Sequence, residues 1–276
     1  MTEPNLFALP PGVGFPAELV AGVLTRMAGK PPEALAQVTL IVNTQRMRRR
    51  VTECLQAKGA LLLPRLMLVT EAAALAGAAL PHPISPLRRR LGLSVLLDGL
   101  LATGSTQFPR TALYDLADSL AALMEEMQGE GVDPGRIARL HVANHSAHWA
   151  RTQAFLGIVT EALRGETPDA EAVLRRAVTR LTEQWAVSPP VDPVILAGST
   201  ASRGTTALLV QAIARLPNGA VVLPGYDFDT PDPVWDSMED ALTAEDHPQY
   251  RFRRVMDLLD CGPGAIRRWT DSQPPD

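Results

Sequence analysis

The segment Val194-Ile195-Leu196-Ala197-Gly198-Ser199-Thr200-Ala201-Ser202-Arg203-Gly204-Thr205-Thr206, with Val221-Val222-Leu223-Pro224-Gly225-Tyr226-Asp227-Phe228-Asp229 downstream, decides the fold. Val194 to Ala197 is a short apolar run ending on glycine, the pattern of a strand buried on both faces. A Gly/Ser/Thr loop follows it. Thr205, Leu209, Ile213 and Leu216 then recur at helical spacing, and Pro217-Asn218-Gly219 stops that helix. Ala220 to Leu223 is a second buried strand. Strand, loop, helix and strand together imply a parallel pair joined by a right-handed crossover. Ligands of open parallel sheets sit at the carboxyl ends of strands, here the loops Gly198–Gly204 and Pro224–Asp229.

Working outward, Leu6 to Leu9 reads as a first strand, ended by Pro10-Pro11-Gly12. Pro16 suits the first turn of a helix carrying Leu19, Val20, Val23, Leu24 and Met27. Val38 to Val42 is another buried strand. Asn43 or Thr44 can cap the next helix, which carries Arg46, Arg48, Arg49 and Arg50. Leu61–Leu63 and Leu66–Val69 flank Pro64 as a third extended piece, and a short Ala-rich helix from Thr70 to about Leu80 follows. At Pro81-His82-Pro83 the period changes. From Ser85 to about Val187 there are helical stripes and no strand pattern. These are Leu87/Leu91/Val95/Leu96, Leu113/Leu116/Leu120/Leu123/Met127, Phe155/Ile158/Val159/Leu163 and Val173/Val178/Leu181/Trp185, with a break at Gly129–Pro134. After Asp229 a polar turn (Thr243–Pro248), a helix (Gln249–Leu259) and a Pro/Gly-rich tail are expected. The predicted class is α/β: residues 1–82 and 191–276 share one parallel sheet, and 83–190 form an inserted all-helical subdomain.

Composition narrows the function classes. The chain has 276 residues, 46% of them hydrophobic, and a formal net charge of −4, so any nucleic-acid contact must come from a local basic patch. Its 2 cysteines exclude a disulfide framework and a four-cysteine metal site within this chain. A reduced, cytoplasmic setting is the default expectation. No charge-free apolar run approaches about 18 residues, and the start carries no basic leader, so neither a membrane span nor a secretory signal is expected.

Five groups of residues bear on chemistry. Gly198, Ser199, Thr200 and Gly204 sit before a helix and can cradle a phosphate, but a phosphate-binding loop would need a Lys after its last glycine; a plain connection whose small residues allow tight packing is the better reading. Pro10–Pro16 stands where a nucleotide-binding protein would carry its phosphate loop, yet it lacks Lys and Ser/Thr, and Pro11 and Pro16 remove N–H donors. Thr44, Gln45, Arg46 and Arg49 open a basic helix at the carboxyl end of a strand, where Gln and Arg can reach phosphate and base edges. The alternative is a solvated face whose arginines pair with local acids, and Arg88-Arg89-Arg90 is a second, lesser cluster. His141, His145 and His148 lack the further ligand that zinc needs. Asp227, Asp229, Asp232, Glu245 and Asp246 are spread over turns and read as turn and cap residues. No catalytic residues and no metal site are expected.

Several stretches belong together as a set: Phe7–Gly12, Ile41–Met47, Leu61–Arg65, Ala117–Leu120, Glu126–Gly131, Asn144–Trp149, Ile195–Thr200, Val222–Asp229 and Leu242–Phe252. In order and number they resemble the amino-terminal part of AddB, the second subunit of the AddAB helicase–nuclease, in its alphaproteobacterial form, from about Leu6 to Trp269. The resemblance implies a degenerate superfamily 1 helicase fold, RecA-like, with a helical subdomain inserted. It implies a part in double-strand break repair, contact with a single strand from a processed DNA end, and an AddA-like partner subunit. By position, Thr44, Gln45 and Arg46 fall on the strand-contacting loop. The family's ATP/Mg chemistry and its iron–sulfur cluster would lie outside this chain, which on this reading is a fragment of a longer protein. Two other functions are weighed against a non-catalytic DNA-binding scaffold. One is a nucleotide-dependent helicase, or other NTPase, with an atypical phosphate loop. The other is a small-molecule enzyme using Gly198–Gly204. The missing Lys disfavours the first, and the lack of a nucleophile or base disfavours the second.

Overall fold

A computed structural model describes residues 3–59, 61–77, 80–102, 110–133, 136, 157, 167–201 and 204–273. Elements are numbered over these residues. The strands are β1 (Leu6–Leu9), β2 (Thr39–Val42), β3 (Arg65–Leu68), β4 (Val194–Ala197), β5 (Gly219–Pro224) and β6 (Arg267–Arg268). They form one six-stranded, all-parallel sheet in the order β3-β2-β4-β5-β1-β6. The register aligns Val42 with both Ala197 and Leu68, Ala197 with Val222, and Leu9 with Pro224. β2 and β4 are buried at every residue, as their continuous apolar runs require.

Helices cover both faces of the sheet. Strand side chains alternate between faces. Leu9, Leu40, Val42, Ile195, Ala197 and Val222 share one core with Leu19, Val20 and Val23 of α1 (Phe15–Met27) and with Val51 and Leu55 of α3 (Gln45–Gln56). A short α2 (Ala34–Gln37) leads into β2. Ala8, Ile41, Leu196, Val221 and Leu223 are also buried and by alternation face the opposite side. There α7 (Gly204–Ala214) packs on β4 and β5, and α10 (Tyr250–Leu259) packs on α7. The short helices α8 (Asp232–Ser237) and α9 (Ala241–Ala244) precede the expected polar turn, which holds over residues 245–248; α9 takes only its first two residues.

The tail is the clearest correction. Arg267 and Arg268 pair with Phe7 and Ala8 as the sixth strand. Trp269 is buried, and its indole Nε1 donates to Leu19 O at 3.1 Å. A Cβ at Gly22 of α1 would overlap that indole, so only glycine leaves room for it. The third extended piece narrows to Arg65–Leu68, and the Ala-rich helix is a 3₁₀ segment, Val69–Ala76.

The chain divides into two compact units, Met1–Ala76 with Val178–Asp276, and Gly77–Ala177. The second contains α4 (Pro86–Ala102) and α5 (Arg110–Glu130), which pack together through Leu93, Leu97, Leu113, Ala117 and Leu120. Of the expected α4 stripe only Leu96 packs against this core: Leu87, Leu91 and Val95 are 64%, 49% and 75% exposed, while Leu93 and Leu97 are fully buried. Gly131, at φ +69°, ends α5 in a Schellman turn, with Val132 N donating to Met127 O. α6 (Ala170–Val187) buries Val173, Val178 and Leu181, but Trp185 is only half-buried. No strand occurs among the described residues of 85–187. The stripe from Phe155 to Leu163 and the three histidines lie outside the described residues.

Candidate functional site

Strand order locates the site. From β2 the chain moves outward to β3, whereas from β4 it moves the other way to β5. β2 and β4 are neighbours whose exits diverge, so a crevice opens between their carboxyl ends; this is the topological switch point where open α/β sheets bind ligands. The two loops bordering it are Asn43–Thr44 and Gly198–Gly204. Sequence reading singled out both separately, but the pairing of β2 with β4 is what brings them together.

On one wall, Thr44 is the N-cap of α3, and its hydroxyl oxygen accepts from Met47 N at 3.1 Å. Asn43, the other cap candidate, instead donates from Nδ2 to Gly198 O at 2.6 Å, tying the two loops together. Thr44, Gln45, Arg46 and Arg49 are exposed. The four arginines of this helix split into two pairs. Arg48 binds both carboxylate oxygens of Glu71, at 3.0 and 3.1 Å, and Arg50 pairs with Glu53 at 2.6 Å. Among the described residues no acid pairs with Arg46 or Arg49. They are free cations on the solvent side of a shallow depression that also includes Gln45. Arg90 of the second cluster pairs with Asp118, and Arg89 lies buried beside Asp169.

On the other wall, Gly198 is buried at φ +79°, and its N–H donates to Val222 O. A side chain there would meet Asn43, Met47 and Phe15 at 3.4, 3.5 and 3.5 Å. The crevice floor is therefore already filled by Met47 and Phe15, the latter delivered by the β1–α1 turn. Ser199 and Thr200 are half-buried, and Ser199 Oγ accepts from Ala201 N across a turn in which Ala201 takes φ +54°. Gly204 is the first residue of α7.

The β1–α1 turn is closed differently. Gly14 caps α1 through its carbonyl, which accepts from Ala17 and Glu18, with no side-chain cap. Further along the same edge, Gly225 and Tyr226 donate to Leu9 O. Tyr226 is buried against Trp235, Phe228 and Phe252. Burial above all, then the charges of Asp227, Cys261 and Asp232, push its hydroxyl up to about 12. The nearby acids hold turns: Asp227 Oδ1 accepts from Asp229 N, and Asp240 caps α9. Among the described residues no three His, Cys, Asp or Glu side chains converge on a metal position. No helix there is long and apolar enough to cross a membrane.

No model of a protein family and no curated protein matches the chain. The site is therefore read from its own geometry.

Proposed function

We infer that this chain is a non-catalytic, helicase-like module that holds a single DNA strand, as the resemblance to AddB implies. In this reading the sheet is a degenerate RecA-like core, residues 77–177 are its inserted helical subdomain, and an AddA-like subunit supplies the motor. The observation that carries it is the pair of exposed cations Arg46 and Arg49, which no acid pairs with among the described residues, on the helix that opens at the carboxyl end of β2 in a chain whose net charge is −4. Bulk charge repels DNA from such a chain, so a local phosphate-binding edge is what lets it bind. Arg46 and Arg49 hold phosphates. Gln45 and the Thr44 O–H, whose oxygen already serves as the helix cap, are the groups left to reach bases. The amide nitrogen of Asn43 is spent on Gly198 and fixes the wall rather than reading sequence.

Nucleotide hydrolysis is disfavoured. Both strand-to-helix turns lack Lys, and apolar side chains fill the crevice floor. The test combines two assays on the chain in complex with an AddA-like partner. Fluorescence anisotropy should show a labelled single-stranded oligonucleotide held more tightly than by the partner alone. A partner bearing an inactivated phosphate loop should leave the complex without ATP turnover above background. Equal oligonucleotide affinity with and without this chain, or turnover that persists in the second assay, overturns the reading.

A further inference from the structure

The edge opposite the crevice carries a second feature, independent of the DNA reading. α7 runs back along the sheet from the carboxyl end of β4, so its last turn and Leu216-Pro217 lie at the amino edge, where the chain leaving α6 also arrives. Between the last turns of α6 and α7 lies a groove of about 440 Å³. One wall is the α6 stripe Thr182, Trp185, Ala186, continued by Pro189; the other is the α7 stripe Leu208, Ala212 and Arg215. Both repeat at three and four residues, as a slot between two helices does when a third can lie in it.

Four observations say what fits. Most of the lining side chains are apolar, interrupted by Thr182 and by Gln211, whose Nε2 donates to Leu258 O, and Trp185 is half-buried although it belongs to the stripe expected to be core. Val187 and Val191, 88% and 85% exposed, extend the apolar surface just beyond the groove. The backbone there is held in place: Asn218 Nδ2 donates to Val191 O at 2.8 Å, so the exposed valine sits on an anchored segment. At the rim, Arg215 is exposed and has no carboxylate within ion-pair reach among the described residues. A slot of mostly apolar side chains with one unmatched cation at its rim complements an apolar stripe with one acid.

We propose that this groove docks an amphipathic helix of a partner protein, two to three turns long, with an apolar i, i+4 stripe and a carboxylate meeting Arg215. This goes beyond the DNA reading and places the partner on the edge opposite the strand, so both can be held at once.

The test uses the 276-residue chain with its tryptophan indoles ¹⁵N-labelled, Trp185 being assigned with Trp185→Phe. The probe is an acetylated, amidated 14-residue Ala/Lys helix carrying Leu at i and i+4 and Glu at i+7. A matched peptide carries Lys in place of that Glu. The Glu peptide should shift the Trp185 indole resonance saturably while leaving the buried Trp235 and Trp269 indoles unmoved. It should bind about twofold to fivefold more tightly than the Lys peptide, the span of an exposed ion pair. Arg215→Glu should reverse that preference, and Arg46→Ala should leave it intact. No Trp185 shift at millimolar peptide, or a preference unchanged in Arg215→Glu, overturns the proposal. A Trp185 shift that follows protein concentration without peptide means that the groove binds a second copy instead, and overturns the choice of occupant.

Discussion

The β1–α1 and β2–α3 turns follow neighbouring steps of the same chain path, leave the same edge of the same sheet and each open a helix, yet they are built for different ends. At β1–α1 the cap is a glycine carbonyl, two prolines replace N–H donors, and Phe15 turns inward to floor the crevice. At β2–α3 a threonine caps the helix and the following Gln45 and Arg46 face water. The first turn serves the core, and the second serves the surface. The difference teaches that one sheet edge carries both a turn spent on packing and a turn whose polar side chains stay in water. In the proposed function, a capped helix start at the switch point, with cations that no described acid pairs with, does the anchoring without a phosphate loop.

If the β1–α1 side is structural, damage there should appear as lost stability. Trp269 pins α1 through Leu19 O and through the space Gly22 leaves, with Arg26 stacked 3.4 Å from its ring centroid. Trp269→Ala should cost about 3–5 kcal/mol, read as a lower urea midpoint. A loss below about 1 kcal/mol would mean that β6 and its tryptophan are dispensable to the sheet.

At the β2–α3 turn the cap itself is a smaller test. Thr44→Ala removes the acceptor for Met47 N and should cost about 1 kcal/mol, whereas Thr44→Ser should restore most of it. If Thr44→Ser recovers stability and oligonucleotide affinity together, the hydroxyl acts at both levels. If it recovers neither, the side chain's role is not that of a hydroxyl.

A pH-dependent effect belongs to the neighbouring edge loop. Tyr226 has a folded pKa of about 12 against an ordinary 10.0. Because the folded value is the higher one, the contribution is fully present below pH 10 and is lost as pH rises towards 12. Chemical denaturation between those pH values should show a steeper decline for the native chain than for Tyr226→Phe. Parallel curves would mean that the hydroxyl is solvated.

Much of this architecture was legible before any coordinates. β1, β2, β4 and β5 stand out because a strand buried on both faces must be apolar at nearly every position, and glycine or proline bounds β1, β4 and β5 while Asn43 ends β2. β6 was not legible, since two arginines carry no strand pattern and join the sheet only because β1 offers them an edge. On α4 the pattern misled. Apolar residues lie all round that helix, so Leu87/Leu91/Val95 and Leu93/Leu97 are equally good stripes by period, and packing with α5 chooses between them. The members of the candidate site were visible one by one. Their meeting was not, because strand order is set by pairings between segments some 150 residues apart. Nor could the sequence say which arginines of α3 are spent on Glu71 and Glu53.

That last distinction gives the most direct measurement. Single-strand affinity should be measured across a salt series for the native chain, for Arg46→Ala/Arg49→Ala and for Arg48→Ala/Arg50→Ala, each with the AddA-like partner. Removing the two unpaired arginines should weaken binding and flatten the log–log salt slope by up to about 1.4, at roughly 0.7 per phosphate contact, with little change in stability. Removing the two paired arginines should leave the slope nearly native and cost at most about 1 kcal/mol of stability for each lost ion pair. Equal slopes in all three proteins would contradict the account and put the DNA path elsewhere.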